Sequence, residues 1–93
     1  MNLPPRELLE ETHEFPGPYL FKVIGKADAG FEARVVAVVR SVLALEVDPP
    51  FQVRAAVGGR HISVTIEPTV QSPDQVLELY RQLGTLDGLV MMF

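Results

Sequence analysis

Phe51-Gln52-Val53-Arg54-Ala55-Ala56, a Gly58-Gly59 step and His61-Ile62-Ser63-Val64-Thr65-Ile66-Glu67 decide the fold of this chain. The second run alternates without a break. Ile62, Val64 and Ile66 fall on one face and Ser63, Thr65 and Glu67 on the other, the period-two pattern of a half-buried strand. The first run also alternates, and the two glycines between them are what a tight hairpin turn needs. Ser72-Pro73-Asp74-Gln75 then opens a helix through three agreeing signals: Ser at the cap, Pro at the first helical position, Gln at the capping-box position. Val76, Leu79, Tyr80 and Leu83 form its buried stripe, Gly84 closes it, and Leu89 to Phe93 reads as a last short strand.

Upstream, Phe15-Pro16-Gly17-Pro18 punctuates the entry to Tyr19-Leu20-Phe21-Lys22-Val23-Ile24, a strand rich in aromatic and β-branched residues that Gly25 is expected to stop. Lys22 must face away from the core, which puts Tyr19, Phe21 and Val23 inside. From Phe31 the period becomes helical, through Val35, Val38, Val39 and Val42. Its five valines oppose helix propensity, so this helix depends on packing against a sheet. Asp28 is its expected N-cap, and Pro49-Pro50 ends the connection that follows. The order β-α-β-β-α-β, with right-handed crossovers and a central hairpin, predicts an α+β ferredoxin-like sandwich: a four-stranded antiparallel sheet with both helices on one face.

Ninety-three residues are one domain. Residues 1–14 hold Glu7, Glu10, Glu11 and Glu14 against Arg6, so this segment carries −3 of the net charge of −4. With Met1, Leu3, Leu8 and Leu9 as its only apolar side chains, it reads as a mobile acidic tail, at most with a helical turn that lays Leu8 and Leu9 on the core. Residues 15–93 form the folded domain. The chain has no Cys, which excludes disulfides and thiolate metal sites and fits a cytoplasmic setting. No apolar run approaches the ~20 residues of a bilayer span, and no membrane role is expected.

The face of the sheet away from the helices is where function is expected, and Lys22, Arg54, Ser63 and Thr65 stand on it. RNA recognition on such a sheet needs outward aromatics on the central strands. Their absence, and the acidic balance, argue against nucleic acid as a partner. The loop Gly25-Lys26-Ala27-Asp28-Ala29-Gly30 before the first helix has the glycines of an anion cradle, but Phe31-Glu32 replaces the residues a phosphate-binding loop requires. An acylphosphatase would use such a loop with an arginine, for which Arg34 is placed, and an asparagine to position water. The sole asparagine is Asn2, in the tail. Asp28-Ala29-Gly30-Phe31 also resembles the ligand-binding turn of ACT domains, which makes Asp28, Gly30 and Phe31 the candidate contacts for an amino acid or small acid. His13 and His61 lack the spacing of metal ligands, and Arg54, Arg60 and His61 cluster near the hairpin.

Phe15-Pro16, Phe21-Lys22-Val23-Ile24-Gly25-Lys26-Ala27, His61-Ile62-Ser63-Val64-Thr65, Ser72, Gln75, Leu79-Tyr80-Arg81 and Val90-Met91-Met92 together resemble the YbeD-like family of small bacterial proteins of unassigned function. Ala55-Ala56-Val57 and the stretch from Leu45 to Pro50 depart from its pattern. The resemblance implies a ferredoxin-like fold similar to the regulatory ACT domain of phosphoglycerate dehydrogenase, and it brings no catalytic residues. The expectation is a non-enzymatic regulatory or protein-interaction module without cofactor or metal. Its expected partners are a second copy joined through an edge strand, another protein, or a small-molecule effector.

Overall fold

A computed structural model describes residues 3–28, 30–56 and 58–93. Its elements are α1 (Arg6–Thr12), β1 (Gly17–Pro18), β2 (Phe21–Lys26), α2 (Phe31–Leu43), β3 (Phe51–Ala55), β4 (His61–Ile66), β5 (Thr69–Val70), α3 (Pro73–Leu83) and β6 (Leu89–Met92). Strands β3-β4-β2-β6 form one antiparallel sheet in that order. This is the ferredoxin-like arrangement that the alternation and the paired glycines predict. Gly58 and Gly59 both take positive φ, at 92° and 72°, so the hairpin uses glycine where other residues would be strained.

The core lies between the sheet and the helices. Phe21, Val23, Val64 and Ile66 supply its floor, with Phe31, Val35 and Val39 above them from α2 and Val76, Leu79 and Leu83 from α3. The side chain of Ser72 accepts from the Gln75 N–H at 3.4 Å, as its cap position predicts, while Gln75 Oε1 reaches back to the Gln71 N–H at 2.7 Å. Gly84 caps α3 in the right-handed region, at φ −64°, so it closes the helix without the left-handed turn expected of it.

Three local expectations change. Gly25 does not stop its strand: β2 begins at Phe21 and runs through Gly25 to Lys26, with Gly25 opposite Ile62 on one side and Leu89 on the other. The glycine is there because the Phe31 ring lies under it, and a Cβ at this position would stand 2.2 Å from Phe31 Cζ. Gly30, at φ 102°, holds the N-cap position of α2 with no side-chain cap, so Asp28 does not cap the helix. Finally, the acidic segment expected to be a mobile tail contains α1. Leu9, 2% exposed, joins the core, and Arg6 pairs with Asp74 of α3. One buried leucine and one cross-chain ion pair give this segment the docking surface that its composition hides.

The two sheet edges differ. A bulge between Ile24 and Gly25 breaks the register of β6 on β2. At the opposite edge β3 is regular and exposed at all five positions, with Phe51 and Val53, 40% and 41% exposed, on its helix side.

Candidate functional site

Two places carry the residues singled out by sequence. The first is the connection from β2 to α2. Asp28 Oδ1 and Oδ2 accept from Arg34 Nη2 at 3.1 and 3.2 Å, and the same nitrogen donates to the Asp87 carbonyl at 3.1 Å. Arg34 therefore ties the loop before its own helix to the loop before β6. The backbone adds two stitches, Lys26 N–H to the Gly88 carbonyl at 2.9 Å and Ala27 N–H to the Arg60 carbonyl at 3.0 Å. The Arg34 guanidinium stands 5.6 Å from the centre of the Phe31 ring, a cation–π distance, and its Nε is buried without a hydrogen-bond partner.

Of the three candidate ligand contacts, Asp28 is exposed, Gly30 is partly exposed and Phe31 is fully buried. An acid approaching this turn meets Asp28 already bound to Arg34. The same pair occupies the cationic position an acylphosphatase would need, and Asn2 lies outside the described residues.

The second place is the open face of the sheet, where Lys22, Arg54, Ser63 and Thr65 do come together. Thr65 lies opposite Lys22 on one side and Gln52 on the other, and Ser63 lies between Ile24 and Arg54. With Gln52 and Val53 they line a shallow depression of about 480 Å³. Lys26, read from sequence as part of a loop, belongs to the same face opposite His61. Continuing the alternation through Gly25 would have found it. On the β6 side the face turns apolar: Met91 sits opposite Ile24, and Phe93 exchanges backbone hydrogen bonds with Lys22 at 3.1 and 2.8 Å.

Elsewhere, His13 rests its ring 4.7 Å from that of Tyr19, and Tyr19 meets Tyr80 through their hydroxyls at 3.3 Å. Burial, and then the bond to Tyr19, push the Tyr80 phenol well above its usual range. Among the described residues no group of three His, Cys, Asp or Glu side chains could hold a metal. Nor, among those residues, is any helix long and apolar enough to cross a membrane.

The fold and these two places define a small ferredoxin-like α+β domain whose polar residues gather on an uncovered sheet face. The chain belongs to the family described as "Protein of unknown function (DUF493)", which matches residues 10–93. It is similar to UPF0250 proteins of Shewanella piezotolerans, at 40% identity, and of Shewanella oneidensis, at 39%, in each case over 86% of this chain and 89% of the relative. A UPF0250 protein of Shewanella halifaxensis is 38% identical over the same shares.

Proposed function

We propose that this domain is a non-enzymatic regulatory or protein-interaction module of the cytoplasm that assembles through its free β3 edge. The observation that carries the reading is that edge itself. Regular, exposed, proline-free edges template pairing with another strand, and folded proteins commonly protect them. The Ala56 N–H bonds to the His61 carbonyl and the Glu67 N–H to the Pro50 carbonyl. Alternation then turns the backbone groups of Gln52 and Arg54 toward β4, and those of Phe51, Val53 and Ala55 outward.

A second copy suits this edge in one register. With a two-fold axis at Val53, Phe51 faces Ala55 of the second copy, large against small, and Gln52 faces Arg54. An axis at Arg54 sets two guanidinium groups opposite each other, and one at Gln52 brings Pro50 opposite Arg54. The Val53-centred pairing extends the groove of about 310 Å³ that Ala33, Val36, Ala37 and Phe51 help to line between α2 and β3.

Sedimentation at rising concentration tests this reading. The wild type should dimerise, and Val53→Pro should be monomeric, because it removes an outward N–H and leaves the β4 ladder intact. A monomer at millimolar concentration, or a dimer unchanged by Val53→Pro, refutes the self-pairing.

A small-acid sensor at the Asp28–Gly30 turn is the second reading, favoured by the buried Arg34 Nε that no acceptor meets. Amino acids or small acids should then raise the melting temperature of the wild type and not of a folded Gly30→Val variant. No shift with any of them counts against the sensor.

A further inference from the structure

We propose that the open sheet face is a docking surface for an acidic, extended segment of another protein that also carries apolar side chains. This rests on the reading of the domain as an interaction module, and it is independent of pairing at β3. Eight cations belong to the chain. Arg6, Arg34, Arg40 and Arg81 form ion pairs with Asp74, Asp28, Asp48 and Glu78. Among the described residues the other four, Lys22, Lys26, Arg54 and Arg60, form none. All four lie on β2, on β3 or in the turn that joins β3 to β4. No acid lies within β2, β3, β4 or β6; Glu67 just beyond β4 marks one rim, and Asp28 and Asp87 lie beyond the Lys26 end. An acidic protein thus gathers three of these four cations, Lys22, Lys26 and Arg54, on one face, with Arg60 at the hairpin end.

Spacing selects the occupant. Lys22 and Lys26 are four residues apart on one strand, roughly 13 Å along the backbone. Arg54 lies two strands from Lys22 and two residues along, about 12 Å away by the same geometry. Cations this far apart cannot close together on one small anion. They match carboxylates at every fourth position of an extended chain, about 13 Å apart. Ser63, Thr65 and Gln52 between them offer side-chain hydrogen bonds. The apolar strip of Met91 and Phe93, 47% and 59% exposed, with Leu20 nearby, asks for apolar side chains beside the acids. A nucleic acid would leave that strip uncovered and would find, among the described residues of β2 and β4, no outward ring but the half-buried His61 to stack on.

The test is fluorescence anisotropy at 0.15 M salt with a labelled twelve-residue peptide that has glutamate at every fourth position, leucine or valine midway between glutamates so that both share one face of the extended chain, and threonine at the remaining positions. Lys22→Glu/Lys26→Glu should weaken binding about tenfold or more, and Arg81→Glu on the helical side less than about twofold, with circular dichroism confirming each fold. No peptide binding, or equal binding by the double variant, overturns the proposal. Tighter binding of a twelve-nucleotide single strand or of phosphatidylserine vesicles overturns it in favour of those partners. Loss of peptide binding in Val53→Pro with the double variant unaffected moves the peptide to the β3 edge, overturning this face while preserving the interaction module.

Discussion

Replacing Gly25 by alanine adds one methyl group and should cost the fold a large part of its stability. An ideal Cβ on Gly25 lies 2.2, 2.3 and 2.5 Å from three carbons of the Phe31 ring, well inside the ~3.5–4 Å of ordinary carbon contact. The ring must retreat by more than 1 Å, yet Phe31 is fully buried and Gly25 is paired on both sides. Overpacking of this kind costs up to about 3 kcal/mol, offset by ~0.5 kcal/mol because alanine is less flexible than glycine in the unfolded chain. At about 0.2 kcal/mol per kelvin for a domain this size, a net loss near 2.5 kcal/mol lowers the melting temperature by roughly 12 °C. Urea unfolding should be measured for Gly25→Ala, Phe31→Leu and the double variant. Leucine alone costs about 1–2 kcal/mol by leaving space, and in the double variant the new methyl group occupies part of that space. The double variant should therefore be more stable than the sum predicts, by about 1 kcal/mol or more. A Gly25→Ala protein within 0.5 kcal/mol of wild type, or strict additivity, refutes the close approach.

Three further outcomes follow from local geometry. Leu9→Ala should cost about 2 kcal/mol in urea unfolding and Leu8→Ala under 0.5 kcal/mol, since Leu9 is buried on the core and Leu8 faces solvent; equal costs would mean that α1 is not docked. Ala44, at φ 53° just after α2, occupies the left-handed region, so Ala44→Gly should raise stability by up to about 1 kcal/mol, and a loss would count against that conformation. The raised Tyr80 phenol keeps its proton in the folded state while the unfolded chain loses it near pH 10, so stability is held below that pH and falls above it. Tyr80→Phe should flatten the fall between pH 9 and 11 in thermal melts.

How much of this was legible in the sequence differs by element. The β3–β4 hairpin and α3 are spelled out locally, because the period of the side chains, the turn glycines and the Ser72 cap each report on neighbours a few residues away. Gly25 shows the limit of that reading. A missing side chain looks the same whether it ends a strand or admits a ring from another element, and only the burial of Phe31 distinguishes the two. The sequence hides the role of Asp28 for a related reason: its partner Arg34 stands one turn into α2 and is also held by the Asp87 carbonyl, 53 residues along the chain. The docking of α1 rests on Leu9 reaching the core, with Arg6 meeting Asp74 68 residues away, a long-range pairing that composition cannot register. On the open face the alternation placed Lys22, Arg54, Ser63 and Thr65 together correctly. It could not show which cations remain unpaired, because pairing depends on the positions of acids on other elements.

That partition of charge has a consequence for salt. The net charge of −4 averages over two unlike sides, with Glu7, Glu10, Glu11, Asp74 and Glu78 on α1 and α3 and the unpaired cations on the sheet. The domain is 19 Å across its shortest axis. At 0.01 M salt the screening length is about 30 Å, so an acidic peptide at the sheet also feels the acids behind it. At 0.15 M the length is about 8 Å, and the cations on the near side act almost alone. At 1 M it is about 3 Å, and even they are screened. Binding of the acidic peptide should therefore strengthen from 0.01 M to about 0.15 M and weaken again toward 1 M. In Lys22→Glu/Lys26→Glu the near side carries no such attraction, so the weakening toward 1 M should vanish while the rise from 0.01 M remains. A monotonic fall in the wild type would mean that the helical acids do not reach the site, and a monotonic rise would mean that apolar contact with Met91 and Phe93, not charge, holds the peptide.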